Sequence, residues 1–432
     1  MSATQPQPPA APLPTASPAP GAAAARIDAL YLHLPFCFHK CHYCDFYSVV
    51  DTPAPRPGPS TDAASPAPAA GVDRQPAFTR ALVAELDAAC DAAPPPGLRP
   101  RTVFAGGGTP TFLRPALWDV LLAALHRHGT LDHAAEFTVE ANPETVTPDL
   151  MRRLADGGVN RVSIGAQSFQ KASLDALERW HRPESVARAV NACRGAGIDN
   201  LSLDLIFAIP GQSLAMLDDD LDRLLELEPT HLSTYGLTYE PQTPLTARLR
   251  VGRVTPIDED TERAMYARVL ERLEGAGFAH YEVSNWARDT PDDRYRCAHN
   301  LAYWTNANWR GLGPGAASHV DGHRWRNAPN LTRYLAHWDV GDTAAPPSGP
   351  PPTEDHERLA PEHRVGERLM LGLRLSDGIE HAWIKAHVPA DHRRATAIEE
   401  LVLIGMLERT ATHLRLTRRG LFVADSVVAK LL

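Results

Sequence analysis

Long apolar runs are missing from this sequence. No stretch approaches the roughly 20 apolar residues that a helix needs to cross a bilayer, and the first basic residue of the chain is Arg26. A signal peptide starts with positive charge and continues with an apolar run, and a transit peptide is rich in arginine. Because neither pattern is present, the sequence predicts a cytoplasmic protein.

An excess of positive charge is also missing. The formal net charge is −9, from 43 Lys and Arg residues against 52 Asp and Glu residues. Proteins that bind nucleic acid or anionic membranes without specificity present basic surfaces. We therefore expect no nucleic-acid partner, while a hydrophobic fraction of 44% supports an ordinary globular core.

Cysteine is scarce, with six residues in a chain of 432. Cys37, Cys41 and Cys44 fall within eight residues of one another, and the other three are scattered. A disulfide framework is spread more evenly and is typical of smaller secreted chains. The tight cluster therefore indicates metal or redox chemistry.

Proline-rich segments divide the chain. Such segments bury too little apolar surface to offset the entropy lost on ordering. We predict a disordered tail over 1–26, a disordered surface insertion over 52–76 and an interdomain linker over 344–352. The predicted domains are then a core at 27–260, an extension of this core at 261–343 and a C-terminal domain at 353–432.

Short apolar runs alternate with longer helical stretches in the core. The predicted strands are Ala29–Leu34, Thr102–Ala105, Phe137–Glu140, Arg161–Ile164, Leu201–Phe207 and His231–Tyr235, and the predicted helices are Phe78–Ala89, Pro115–Arg127, Pro148–Ala155, Glu184–Arg194 and Leu214–Leu227. Repeated strand–helix units predict a parallel sheet with right-handed crossovers. Six strands are too few for a closed eight-stranded barrel. We expect an α/β fold with an open, partial (β/α)6 barrel and function at the carboxyl ends of its strands.

The C-terminal domain has a different pattern. It contains predicted helices at Glu362–Leu373, Ala395–Leu407 and Leu421–Leu432 and a predicted strand at His413–Thr417. Helices combined with a small hairpin predict a helical, winged-helix-like module.

The clustered cysteines have the spacing C-x3-C-x2-C and follow the first predicted strand. A [4Fe–4S] cluster is normally held by four thiolates. Three local ligands leave the fourth to a distant cysteine, or leave one iron open to a substrate. Structural zinc stays an alternative, because His33, His39 or His42 could complete a tetrahedral set.

Further residues with chemical potential stand at the ends of other predicted strands. They include the turn Gly106-Gly107-Gly108-Thr109-Pro110, the carboxylate of Glu140 and the amide of Gln167. Arg179 follows twelve residues after Gln167, and taken alone it could be a solvated helical charge. Asp204 lies inside an apolar run, where an unpaired charge is costly, so we expect it to have a partner or a ligand.

Together these motifs resemble those of radical S-adenosylmethionine proteins. The segment from Tyr31 to Phe36 resembles the branch that contains oxygen-independent coproporphyrinogen III oxidase and the HemW-type haem chaperones. The resemblance runs from about Asp28 to the C-terminus, outside the insertion. It implies a [4Fe–4S] cluster on the three clustered cysteines, with one iron open to S-adenosylmethionine. It also implies that Tyr31, Gly107 and Glu140 contact a first S-adenosylmethionine, and that Gln167, Arg179 and Asp204 line a second or equivalent pocket. Tyr43, Gly108 and Thr109 are further cofactor-binding candidates.

Position 46 separates the two members of this branch. The oxidase has a further cysteine there, whereas this chain has Phe46, as the HemW-type chaperones do. The motif His-Asn-x-x-Tyr-Trp at His299 also resembles the chaperones. An imidazole beside aromatic surface supplies the axial nitrogen and the flat apolar faces that haem needs. The resemblance therefore makes His299 a haem-ligand candidate and Cys297 a second one, although a packed core motif would give the same pattern.

Three hypotheses follow for the function. The leading one is a haem chaperone that passes haem to acceptor proteins, respiratory ones among them. The alternative is an oxygen-independent coproporphyrinogen III oxidase, which decarboxylates propionates by radical chemistry, and a third is a zinc-stabilised binding module. Whether the protein is an enzyme is left open, as are a homodimer and transient contact with membrane proteins.

Overall fold

The computed structural model describes residues 26–51, 73–93, 97–338 and 351–432. Most of the predicted tail, insertion and linker therefore lies outside the described residues. The predicted insertion also ran too far, because a helix begins at Gln75.

Most strands of the described part join one twelve-stranded sheet. The strands are β1 Ala29–Leu34, β2 Phe36–Cys37, β3 Val49–Val50, β4 Thr102–Gly107, β5 Glu136–Ala141, β6 Arg161–Gln167, β7 Asn200–Phe207, β8 His231–Gly236, β9 Phe278–Glu282, β10 Asn285–Arg288, β11 Trp309–Leu312, β12 Ala317–Val320, β13 His323–Asn327, β14 Thr353–Arg358, β15 Ile379–Glu380, β16 Leu407–Arg409 and β17 His413–Leu416. The large sheet has the order β14-β13-β12-β11-β1-β4-β5-β6-β7-β8-β10-β9.

The helices of the described part are α1 Gln75–Ala92, α2 Pro115–Arg127, α3 Pro148–Asp156, α4 Lys171–Ala176, α5 Pro183–Gly195, α6 Leu214–Glu226, α7 Pro244–Arg250, α8 Glu259–Gly275, α9 Ala298–Trp304, α10 Leu331–Trp338, α11 Pro361–Gly372, α12 His381–His387, α13 Arg393–Leu403, α14 Arg418–Leu421 and α15 Ala424–Ala429. A proline at the first turn starts α2, α3 and α5, where its missing N–H breaks no bond. Side-chain caps at Thr147, Ser213 and Asp258 fix the starts of α3, α6 and α8.

The six predicted strands form the parallel centre of the large sheet, as expected. They are β1, β4, β5, β6, β7 and β8, and each pairs in parallel with the next in this order. β11 adds a seventh parallel strand beside β1. The open, partial barrel predicted from the sequence is thus confirmed.

The two faces of these strands differ because side chains alternate along a strand. One face is apolar and packs against the helices, with Val162, Ile164, Leu203 and Leu205 fully buried in the main core. The other face carries polar side chains, which are Glu136, Thr138, Glu140, Arg161, Ser163, Ser202, Asp204, His231 and Ser233. We call this polar side the inner face. Several of its side chains near the carboxyl ends of the strands are only partly buried, so they line an open hollow.

The sheet extends beyond the prediction on both sides. β10 and β9 add antiparallel strands next to β8, and β12, β13 and β14 add antiparallel strands next to β11. Because β14 pairs with β13, residues 353–358 belong to the large sheet. The predicted start of the C-terminal domain at 353 is therefore one strand too early.

The remaining C-terminal chain has its own apolar core, formed by residues of α11, α13, α15 and the strands β15, β16 and β17. The predicted helix Ala395–Leu407 is too long, because Leu407 begins β16. The predicted helix Leu421–Leu432 is divided into α14 and α15 around Phe422 and Val423. This unit attaches to the large sheet beside β9, where the Val283 amide donates to the carbonyl of Arg374 at 3.1 Å.

Candidate functional site

The cysteine loop begins at the carboxyl end of β1. β2 pairs in parallel with β3 and closes the base of the loop, where the Asp51 amide donates to the carbonyl of Cys37 at 3.0 Å. Inside the loop, the Cys44 amide donates to the carbonyl of Cys41 at 3.2 Å. These bonds place the three predicted cluster ligands on one short loop at the carboxyl edge of the sheet.

Side chains from two other elements approach the thiols of this loop. The Thr109 hydroxyl lies 3.6 Å from Cys37 Sγ, and Arg179 Nη1 lies 3.6 Å from Cys41 Sγ. Burial raises the pKa of the Cys37 thiol and raises the pKa of Cys44 to about 11. In the metal-free protein these two thiols are therefore protonated at neutral pH, and metal binding has to release their protons.

Arg179 turns into the site instead of facing solvent. Its Nη2 donates to the Gly165 carbonyl at 2.6 Å, while its buried Nε has no hydrogen-bond partner. A Cβ at Gly165 would lie 3.0 Å from Arg179 Nη2 and 2.8 Å from Gln167 Nε2, so a larger residue there would make these side chains shift. A guanidinium with an unmatched N–H beside the Cys41 thiol fits an anionic sulphide cluster held by thiolates.

In the described part of the chain, no three His, Cys, Asp or Glu side chains converge as they would around a single metal ion.

The glycine turn after β4 brings backbone against the cysteine loop. Gly107 has a φ of +103°, and a Cβ there would lie 2.5 Å from the His33 imidazole. The Gly108 amide donates to the carbonyl of Leu34, and the Thr109 amide donates to that of Phe36, both at 2.8 Å. The turn is thereby bonded to the strand end that leads into the cysteine loop.

Glu140 and Asp204 both lie on the inner face, and their charges interact. The Gly107 amide donates to Glu140 Oε2 at 3.2 Å. Burial raises the pKa of Glu140 to about 7, and the charge of Asp204 adds to this effect. Asp204 has the partners that its apolar run required, because the hydroxyls of Ser163 and Ser202 donate to it at 3.0 and 3.3 Å.

Tyr31 and His33 point from β1 to the same inner face. The Tyr31 hydroxyl lies 3.2 Å from His33 Nδ1, and His33 Nε2 lies 2.8 Å from the Tyr47 carbonyl. Burial lowers the pKa of His33 to about 4, so the ring is neutral. A neutral ring that donates through Nε2 to a carbonyl accepts the Tyr31 hydroxyl at Nδ1. His33 is therefore engaged in positioning Tyr31.

Gln167 and Tyr43 occupy different surroundings. Gln167 ends β6 with a φ of +60° and lies close to Arg179. Tyr43 instead packs against a small apolar cluster that includes Leu177, Ile206 and Leu245. The structure thus brings Gln167, Arg179 and Asp204 to one part of the hollow, with Tyr43 at its apolar wall.

The haem-ligand candidates lie at the opposite, amino ends of the strands. His299 Nδ1 is 2.9 Å from the Thr102 hydroxyl, and His299 Nε2 is 2.9 Å from the Tyr303 hydroxyl. Burial lowers the pKa of His299 to about 3. Because both ring nitrogens are hydrogen-bonded in a buried position, the geometry gives His299 a structural role. Ligating haem would require at least one of these bonds to break.

Cys297 is also engaged in packing. Its thiol donates to Glu136 at 3.4 Å, and the amides of Ala298 and His299 donate to the same carboxylate at 2.8 and 3.1 Å. Glu136 therefore caps the amino end of α9. This helix covers the inner face at the amino ends of the strands.

Asp220 is a site residue that sequence reasoning missed. It is fully buried in α6 and accepts from the Ser168 hydroxyl at 2.7 Å and from the Phe169 amide at 2.6 Å. These bonds fix the turn directly after Gln167. Its acidic neighbours Asp218 and Asp219 hide it in the sequence, but the spacing to the buried Leu217, Leu221 and Leu224 could have indicated its inward position.

Comparison with known proteins follows the same division of the chain. A model for the radical SAM superfamily matches residues 31–224, and a model for the HemN C-terminal domain matches 359–423. The chain is 35% identical over 407 residues to the haem chaperone HemW of Mycobacterium tuberculosis, covering 93% of this chain and 94% of that protein. The chain belongs to the HemW family. HemW of Lactococcus lactis is 31% identical over 94% of this chain and 97% of that protein, and HemW of Escherichia coli is 36% identical over 68% and 70%.

The fold is shared more widely than the HemW family. The solved structure of coproporphyrinogen III oxidase (HemN) from Escherichia coli superposes with a TM-score of 0.75, covering 94% of this chain and 90% of that one at 18% identity. Membership of the radical SAM superfamily implies an iron–sulphur cluster and S-adenosylmethionine as cofactors. No helix in the described ranges is both long and apolar enough to cross a membrane.

Proposed function

We propose that the protein is a haem chaperone, which binds haem and passes it to acceptor proteins. The observation that carries this proposal is the similarity to relatives named haem chaperone HemW along almost the whole chain. Phe46 adds support, because the oxidase alternative requires a cysteine at that position. The Phe46 side chain is 64% exposed beside the cysteine loop, and it has no thiol to offer to a reaction.

In this proposal Cys37, Cys41 and Cys44 hold a [4Fe–4S] cluster. When bound, the cluster supplies an open iron for S-adenosylmethionine and a source of single electrons. The Thr109 hydroxyl lies beside the Cys37 thiol and favours its thiolate form, and the Arg179 guanidinium lies beside Cys41.

The remaining site residues would position S-adenosylmethionine. Gly107 and Gly108 present backbone at the first pocket, with Tyr31 and Thr109 beside them. Glu140, once ionised, is suited to accept hydrogen bonds from an ammonium or a ribose hydroxyl. Gln167, Arg179 and Asp204 would line the second part of the hollow, with Tyr43 as its apolar wall.

Haem and its acceptors are the partners that this function requires. We do not assign His299 or Cys297 as haem ligands, since their polar atoms already bind Thr102, Tyr303 and Glu136. Respiratory acceptors, a homodimer, transient contact with membrane proteins and a cytoplasmic location stay predictions.

Anaerobically reconstituted protein tests this function. We expect haem to bind with a defined stoichiometry, seen in the Soret region, and to move to an apo haem protein on mixing. Coproporphyrinogen should not be consumed in the presence of S-adenosylmethionine and a reductant. Decarboxylation of coproporphyrinogen with release of 5′-deoxyadenosine would instead support the oxidase, and a Phe46→Cys variant tested in parallel shows whether this one position separates the two activities.

A further inference from the structure

A groove lies between α8 and the C-terminal unit. Its volume is about 720 Å³, which is within the range of small-molecule sites. The side chains that matter for its chemistry are Arg263 and Asp260 from α8, with Met406, Arg418, Arg419 and Phe422 from the C-terminal unit. The site described above uses none of these residues.

Positive charge in this groove is only partly neutralised. Arg418 pairs with Glu274 at 2.8 Å. Within the described ranges, Arg263 and Arg419 form no ion pair with a carboxylate, and the contact recorded for Arg419 Nη1 is the Ile404 carbonyl at 3.4 Å. Asp260 is the one acidic side chain in the lining. The groove therefore favours an anionic ligand.

The floor of the groove is apolar and aromatic. The Arg263 guanidinium lies 5.4 Å from the centre of the Phe422 ring, and that ring packs edge-on against Tyr266. Val423 in the lining is 44% exposed. Exposed apolar surface of this kind commonly marks a binding surface.

A flat, apolar ligand with carboxylates that reach two arginines fits this lining. We propose that the groove is the haem-docking site, with the porphyrin against Met406 and Val423 and its propionates at Arg263 and Arg419. This inference rests on the proposed function, which supplies haem as the cargo. It places the cargo at the C-terminal unit, away from the cysteine loop and from α9.

Haem titration of the full-length reconstituted protein tests the placement. We expect the double variant Arg263→Glu with Arg419→Glu to weaken haem binding at least ten-fold. The milder pair Arg263→Gln with Arg419→Gln should weaken it in the same direction. The control is Arg333→Glu with Arg358→Glu, which changes the net charge equally at exposed positions outside the groove and should leave the affinity unchanged. Circular dichroism and cluster content verify that each variant is folded.

Titration with haem dimethyl ester is a second test of the placement, because the esterified propionates carry no charge. We expect the wild-type protein to bind the ester more weakly than haem, the Gln double variant to bind both ligands equally, and the Glu double variant to bind the ester more tightly than haem.

The outcomes separate the placement from the function. Wild-type protein that binds no haem contradicts the proposed function itself. If both groove variants bind haem with wild-type affinity, the placement is overturned and the chaperone function stays intact. If those variants also lose transfer of haem to an acceptor, the groove would dock the acceptor protein instead.

Discussion

The carboxyl group of Glu140 lies on the inner face of the sheet, within range of the charge of Asp204. Its pKa of about 7 compares with an ordinary value of 4.5, so the folded state binds this proton more tightly than the unfolded state. The free energy of unfolding therefore falls as pH rises from 4.5 to 7 and stays lowered above pH 7.

We predict that Glu140→Gln stabilises the ligand-free protein at pH 8. The gain should be about 1–3 kcal/mol, and it should fall below about 1 kcal/mol at pH 5. Urea denaturation at the two pH values measures it. Glu184→Gln, at an exposed position, is the control and should change neither value. An equal effect of Glu140→Gln at both pH values would contradict this account of the carboxyl group.

Binding should respond to the same proton. S-adenosylmethionine carries an ammonium group and a sulphonium, which the ionised form of Glu140 favours. We predict that its affinity for the reconstituted protein falls by up to about ten-fold per pH unit below pH 7, and that Glu140→Gln removes this dependence. Calorimetric titration between pH 6 and 8 tests the prediction, which a flat profile in the wild-type protein would refute.

Residue identity alone predicted some of these roles and not others. The need of Asp204 for a partner followed from its position in an apolar run, and Ser163 and Ser202 meet that need. The inward direction of Arg179 came from the family resemblance, because the residues alone equally predicted a solvated charge. The hydrogen bonds of His299 depend on Thr102, which is far away in sequence, so its buried role could not be predicted locally.

At the scale of elements, the turn after β6 depends on α6. Asp220 binds the Ser168 hydroxyl and the Phe169 amide, and both donors would lose their partner in Asp220→Ala. We predict a loss of about 2–4 kcal/mol in the free energy of unfolding and weaker S-adenosylmethionine binding through displacement of Gln167.

Asp219→Ala is the matched control, since this neighbour is exposed and binds the Gln170 side chain at the surface. It should cost less than about 1 kcal/mol. Asp220→Asn, which keeps one acceptor oxygen, should fall between the two. Comparable losses for Asp219→Ala and Asp220→Ala would show that the turn does not depend on the buried carboxylate.

The attachment of α9 to the sheet through Glu136 gives a second prediction at this scale. The Glu136 carboxylate accepts from two amides at the start of this helix, and a glutamine side chain in its place would keep one acceptor oxygen and no charge. We predict that Glu136→Gln lowers the free energy of unfolding by about 1–2 kcal/mol. If α9 has the structural role described, Glu136→Gln should leave haem affinity unchanged, and a selective loss of haem binding without loss of stability would return His299 to consideration as a ligand.

Elements with a regular apolar pattern were predictable, and elements without one were not. α2 spans the predicted range because proline starts it and its apolar residues recur with helical spacing. β14 was assigned to the wrong domain because its sequence, Thr-Glu-Asp-His-Glu-Arg, has no apolar alternation. Its place in the sheet is set by pairing with β13, which a local pattern does not reveal. The break between α14 and α15 was likewise hidden inside a continuous apolar run.

At the scale of the whole molecule, the hollow at the carboxyl ends of the strands, α9 at their amino ends and the groove at the C-terminal unit occupy separate places. The sequence and its family resemblance predicted function at the first of these, and they offered haem ligands at the second, where the polar atoms of His299 and Cys297 bind neighbouring side chains. The groove was not predictable, because its arginines come from α8 and α14, which are far apart in sequence.

Iron and acid-labile sulphide content measures the central claim, that three thiolates on one loop hold an iron–sulphur cluster. Wild-type protein reconstituted without oxygen should contain about four of each per chain. Cys41→Ala should lose most of both, while Cys90→Ala, which alters a cysteine of α1, should retain them. Wild-type protein that binds zinc and contains no acid-labile sulphide would contradict the account.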